Sequence, residues 1–171
     1  MNWLQALILG IVQGFTEFLP ISSSGHLVLV QAVLGIEQPG NEFEILVHLG
    51  TLASVLVVFL DDIKSLLLSL TSKKTQSFII FVLVGSIPAV GIGLGFKDIL
   101  KALFDNIASV SGALIFTGLI LYCSSFVKQG DKEHSIITSI LIGCAQAVAI
   151  IPGVSRSGMT ICAALFLGLS P

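Results

Sequence analysis

The chain has 171 residues, of which 54% are hydrophobic and 11% charged, and its mean hydropathy is +1.03. An ordinary globular domain cannot be this apolar and keep a wettable surface, so the chain belongs in a bilayer. A net charge of -2 with only eight Lys and Arg leaves no basic face for counterion release, which excludes nucleic acid as a partner.

Met1-Asn2-Trp3 lacks a basic n-region, and polar Gln13 and Glu17 stand where a signal peptide would place its cleavage site. No removable leader is expected. From Trp3 an apolar helical pattern meets Pro20-Ile21-Ser22-Ser23-Ser24-Gly25-His26 and then resumes. Each half is too short to span alone, so the region of about 3–36 is expected to be a re-entrant hairpin. Its irregular backbone survives at membrane depth only where protein or trapped water satisfies it.

Three largely apolar stretches follow, about 43–60 (with Glu44 and His48), 78–96 and 107–127. Each is long enough to cross a hydrocarbon core, which takes roughly 17–25 helical residues. Gly85, Pro88, Gly91, Gly93 and Gly95 in the second suggest a kinked helix packed closely on a neighbour. A second broken region, about 135–169, is interrupted at Pro152-Gly153-Val154-Ser155-Arg156-Ser157-Gly158 and reads as another hairpin. Cys123, Cys144 and Cys162 lie in apolar stretches without C-x-x-C spacing and read as packing residues.

The two broken regions resemble each other. Sliding the chain by 133 positions sets Gly10 on Gly143, Gln13 on Gln146, Ser22 on Ser155, Ser24 on Ser157 and Gly25 on Gly158. Duplication is the better explanation. Three spans between the hairpins, an odd number, make them enter from opposite faces, which is an inverted repeat. Lys64, Lys73, Lys74, Lys128 and Lys132 share one side and Lys97 and Lys101 the other, so the first side is cytoplasmic by the positive-inside bias and the N-terminal hairpin opens outward. The expected fold is therefore all-α: a polytopic membrane protein with inverted repeats and two re-entrant helical hairpins.

A charged residue at a membrane helix centre costs at least about 2.5 kcal/mol, so each one is a functional hypothesis. Gln13 and Glu17, four apart, share a helical face and aim an amide oxygen and a carboxylate at one point. Such a pair can hold Mg²⁺ or Ca²⁺ together with substrate oxygens. Ser22, Ser23 and Ser24 bring hydroxyls and unpaired N–H groups to a helix N-terminus, a natural phosphate site. His26, in the first turn, can serve as base, acid or nucleophile. Arg156 holds the corresponding place in the second hairpin among Ser155, Ser157 and Thr160, a guanidinium fork suited to phosphate oxygens. Glu44 and His48 stay open between interior groups and neighbours of the site. No G-x-S-x-G, Walker loop or zinc-ligand cluster occurs.

Gln13 to His26, Q-G-F-T-E-F-L-P-I-S-S-S-G-H, and Pro152 to Thr160, P-G-V-S-R-S-G-M-T, resemble the two signature motifs of the bacterial undecaprenyl pyrophosphate phosphatases. Phe43 to Ala53 resembles the segment the family places after the first motif. The resemblance implies hydrolysis of undecaprenyl diphosphate to the monophosphate, which recycles the carrier for cell-wall synthesis, in the bacterial inner membrane. It implies Glu17 as the acidic residue of metal-assisted chemistry, Ser23 and His26 at the attacked phosphorus, and Ser155, Arg156, Ser157 and Thr160 gripping the pyrophosphate. Whether Ser23, His26 or water attacks stays open. Gln13 stands where many members carry Glu, one negative charge fewer for a cation. Members continue past the second motif, so the chain is expected to be an N-terminal fragment. The implied partners are the polyprenyl diphosphate and membrane lipids, and a homodimer is compatible with them. Inverted repeats with broken helices also fit a different class, a polyprenyl-phosphate flippase or other secondary transporter.

Overall fold

A computed structural model describes residues 1–36, 42–104, 106–128 and 130–169. Among the described residues the chain is helical: α1 (Trp3–Thr16), α2 (Ser23–Val33), α3 (Glu42–Val58), α4 (Leu60–Leu68), α5 (Lys73–Gly95), α6 (Lys97–Phe104), α7 (Ile107–Ser124), α8 (Ile136–Val148) and α9 (Arg156–Phe166). Helices α5 and α7 are each long and apolar enough to cross a membrane, and α3 with α4 passes the same test as a pair bent by 65°. Large apolar side chains such as Trp3, Phe15, Leu68 and Leu94 lie exposed, as on a surface solvated by lipid.

The spans depart from the sequence reading at their ends. The first expected span breaks at Phe59, and α4, which carries Asp61, Asp62 and Lys64, turns aside. These charges favour the polar interface over the hydrocarbon. Helix α5 starts at Lys73, five positions before Phe78, and runs through Pro88 as one helix. The 97–104 stretch forms a helix of its own, α6.

Helices α1 and α2 pack as one hairpin and α8 and α9 as another, and the displacement of 133 seen in the residues recurs in the backbone. Helix α8 starts 133 positions after α1, and both ends of α9 lie 133 after those of α2. Each hairpin opens with a capping box, Asn2 with Gln5 and Ser135 with Thr138, which satisfies two orphan donors of the first turn. Each closes on a left-handed glycine, Gly35 at φ 62° and Gly168 at φ 79°. Past them, Ile36 N–H donates to Gln31 O at 2.9 Å and Leu169 N–H to Ala164 O at 3.0 Å, the bond that ends a Schellman motif.

The corners between the paired helices differ in where the backbone turns left-handed. In the second, Gly153 takes the left-handed turn at φ 92°. Its counterpart in the first is Pro20, whose ring fixes φ near -65°. The positive φ moves instead to Ser22, at 70°, a strained place for a residue with a Cβ.

The corners touch reciprocally. A Cβ on Gly25 would sit 2.9 Å from Gly153 Cα, and one on Gly158 would sit 2.8 Å from Pro20 O. Gly25 and Gly158 are a pair under the 133 shift, and so are Pro20 and Gly153. Helix α7 packs on both α2 and α9 and carries both corners, while α8 makes its main contact with α5.

Candidate active site

A cavity of about 510 Å³ opens where the two corners meet. Its wall includes Glu17, Ser22, Ser23 and Ser24 from the first corner and Ser155, Arg156 and Ser157 from the second. Glu44 and His48 from α3 and Phe104 at the end of α6 also line it.

Glu17 stands just past α1, with its backbone N–H donating to Gln13 O at 2.9 Å. The i, i+4 spacing brings the side chains together, as expected on one face. Gln13 Nε2 donates to Glu17 Oε2 at 3.0 Å, and the Ser23 hydroxyl donates to the same oxygen. His48 Nε2 lies 3.6 Å away, while its Nδ1 lies 2.7 Å from the Glu44 carbonyl oxygen. Since a carbonyl only accepts, Nδ1 carries the proton there. Glu17 thus meets α1, α2 and α3 at one carboxylate.

The N-termini of α2 and α9 face the cavity. Ser22 Oγ accepts from Gly25 N–H at 3.4 Å and Ser155 Oγ from Gly158 N–H at 3.0 Å. The flanking hydroxyls repeat the pattern, with Ser22–Ser24 and Ser155–Ser157 each at 3.4 Å. Two dipole ends converge on one space, which favours an anion. Among the described residues Arg156 has no carboxylate within ion-pairing distance, and it lines the cavity.

Three residues expected at the site do not line the cavity. His26 does not line this cavity; it lines a smaller one of about 350 Å³ with Ile21, Leu114 and Thr117. The Ser22 carbonyl captures its Nδ1 at 2.8 Å, which turns the ring to the far side of the corner. Thr160 bonds back to Arg156 O at 3.0 Å and is absent from the cavity wall. Gln13 is buried behind Glu17 and offers it nitrogen rather than oxygen; Gln13 Oε1 is buried with no hydrogen-bond partner among the described residues.

Thr117, which sequence reasoning passed over, bonds the second corner from α7. A hydroxyl midway along an apolar span was the available signal.

Among curated proteins, the undecaprenyl-diphosphatase of Carboxydothermus hydrogenoformans is 44% identical to 99% of this chain, which covers 65% of that relative. The protein of the same name from Desulfatibacillum aliphaticivorans is 38% identical over 99% of the chain and 69% of its own length. That of Halothermothrix orenii is 42% identical over 98% and 65%. The chain therefore spans about two thirds of the length of these relatives. The family described as bacitracin resistance protein BacA matches residues 6–171, nearly the whole chain, and this integral membrane protein belongs to that family.

Proposed function

We propose that the chain removes the terminal phosphate of a long-chain polyprenyl diphosphate, undecaprenyl diphosphate in the bacterial cell membrane, leaving the monophosphate carrier. The supporting observation is the convergence of a carboxylate, a guanidinium and two serine-rich helix N-termini on one cavity. The names of the relatives point the same way.

The Ser23 hydroxyl already donates to Glu17. Glu17 can accept its proton, or that of a water in its place, as the oxygen attacks the terminal phosphorus. The bond from that phosphorus to the bridging oxygen then breaks, and the electron pair leaves with the lipid monophosphate. Where Ser23 is the attacking group, a water then adds to the phosphoserine phosphorus, the P–O bond to Ser23 breaks, the serine oxygen recovers a proton and phosphate is released. Charge spreads over the phosphoryl oxygens during this step, and the site stabilises it with Arg156 and the two dipole ends. His26 acts in this reading from behind the corner, through the Ser22 carbonyl, and not on phosphorus.

Mg²⁺ or Ca²⁺ fits the oxygen donors of the cavity wall, the carboxylates of Glu17 and Glu44 and the serine hydroxyls, which are hard ligands. Among the described residues no three His, Cys, Asp or Glu gather into a metal-binding group, so an ion here would take one or two carboxylates and complete its shell with phosphate oxygens. Glu17 and Glu44 would hold it, with Gln13 fixing Glu17 from behind. The ion would neutralise phosphate oxygens.

Purified protein in detergent is expected to release phosphate from farnesyl diphosphate, and Glu17→Ala and Arg156→Ala are each expected to abolish release while still inserting into membranes. Near-normal turnover in either variant removes that residue from the mechanism. Transport, which the broken-helix repeat also suits, needs a sealed bilayer. Hydrolysis does not, so a protein silent in detergent and active only in vesicles would be a transporter.

A further inference from the structure

Thr117 is buried in the middle of α7, on a span without a charged residue, and does not line the Glu17–Arg156 cavity. Most hydroxyls on these helices return to their own helix. Thr16, Ser86 and Thr160 each donate to the carbonyl four residues back. Thr117 does not. Its Oγ1 donates to Gly153 O at 3.0 Å and accepts from Ser155 N–H at 3.1 Å.

These two backbone groups bracket Val154, the last residue before the cap of α9. Neither has another backbone partner that a regular helix would supply, and at membrane depth unsatisfied backbone is costly. Gly153 presses on the same helix, for a Cβ there would meet Val110 O and Ala113 Cβ. The second corner therefore rests on α7 through one glycine and one hydroxyl. The first corner is held differently, from within, by His26 on the Ser22 carbonyl.

We infer that Thr117 is a positioning residue: its hydroxyl clamps the Gly153 carbonyl and the Ser155 amide, and so aims Ser155 and Arg156 at the diphosphate. The kinetic consequence rests on the hydrolase reading; the clamp itself does not. Ser155 both receives the bond from Thr117 and caps α9 through Gly158 N–H. Losing the bond frees the backbone one residue ahead of the guanidinium. A shift on the order of 1 Å in a group that grips the reacting phosphate can cost about a hundredfold.

The test compares Thr117→Val, which keeps the shape and removes the hydroxyl, with Thr117→Ser, which keeps the hydroxyl. Two readouts are taken on the full chain in detergent: farnesyl diphosphate kinetics, and amide hydrogen exchange over residues 152–157. For Thr117→Val, KM is expected to rise, kcat/KM to fall roughly tenfold or more, and exchange to quicken; Thr117→Ser is expected to restore all three. Should Thr117→Val fail to insert, Thr117→Ala takes its place. Three results would overturn the inference: exchange and KM unchanged in Thr117→Val, an equal defect in Thr117→Ser, or a loss confined to kcat, which reports a smaller folded fraction. A wild-type chain that hydrolyses nothing would overturn the activity reading alone, and the exchange comparison would still decide the clamp.

Discussion

Glu17 Oε2 accepts from Gln13 and Ser23, with the His48 ring beside it, so the orientation of a single oxygen depends on three helices. The Gln13 contribution was legible from spacing alone, because i and i+4 share a helical face whatever the tertiary fold. The Ser23 and His48 contributions were not, since they depend on how the chain turns at the corner and where α3 comes to lie. His26 shows the limit most clearly. Its place in the first turn of α2 was readable, but the direction of its ring follows from the bond to the Ser22 carbonyl, and that carbonyl is set by the positive φ at Ser22. A residue acting from behind the corner should tune the site and not be indispensable. His26→Ala is therefore expected to lower kcat/KM by roughly one or two orders of magnitude while Arg156→Ala abolishes turnover. Phosphate release measured on both, side by side, checks the ranking, and equal abolition would return His26 to the reacting phosphorus.

At the level of whole helices, the α5–α8 seam is held by close approach. A Cβ on Gly143 would run into the Gly85 carbonyl, and one on Gly85 would sit 3.1 Å from Ser139 O. Backbone cannot yield as a side chain can, so Gly143→Ala is expected to lower stability by about 1–3 kcal/mol through overpacking. Gly91→Ala, whose new methyl meets nothing within 4 Å, should be neutral or slightly stabilising, because alanine loses less entropy in a helix. Thermal unfolding in detergent compares the two. The glycines announced such a seam in the sequence but not its partner. The bend at Phe59 had no announcement: neither Pro nor Gly stands there, and Phe59 makes no side-chain cap. Hydropathy marks how far a span can reach, and only the charges of Asp61, Asp62 and Lys64 mark where it must leave the hydrocarbon.

Across the whole molecule, the 133-residue register assigns unlike side chains to like places. Ser23 and Arg156 each open the second helix of their hairpin, so a hydroxyl from one copy and a guanidinium from the other face one cavity. The duplication was visible in five matched residues, whereas the matching caps and glycine terminations required backbone geometry. Phe104, from the connection that also carries Lys97, lines the cavity. By the basic-residue bias that connection is expected outside, which would put the proposed diphosphate chemistry toward the outer leaflet. Reporter fusions after Lys74 and after Lys101 are expected to report cytoplasm and exterior respectively. The reverse pattern would turn the cavity inward.

The reciprocal seating of Gly25 on Gly153 and of Gly158 on Pro20 also sets an order in time. Ribosomes finish the first hairpin more than a hundred residues before the second, and until then its corner has no counterpart to rest against. The joined corners therefore cannot form before α9 leaves the insertion machinery and docks, and a nascent chain halted in the loop after α7 is expected to be embedded yet without the cavity.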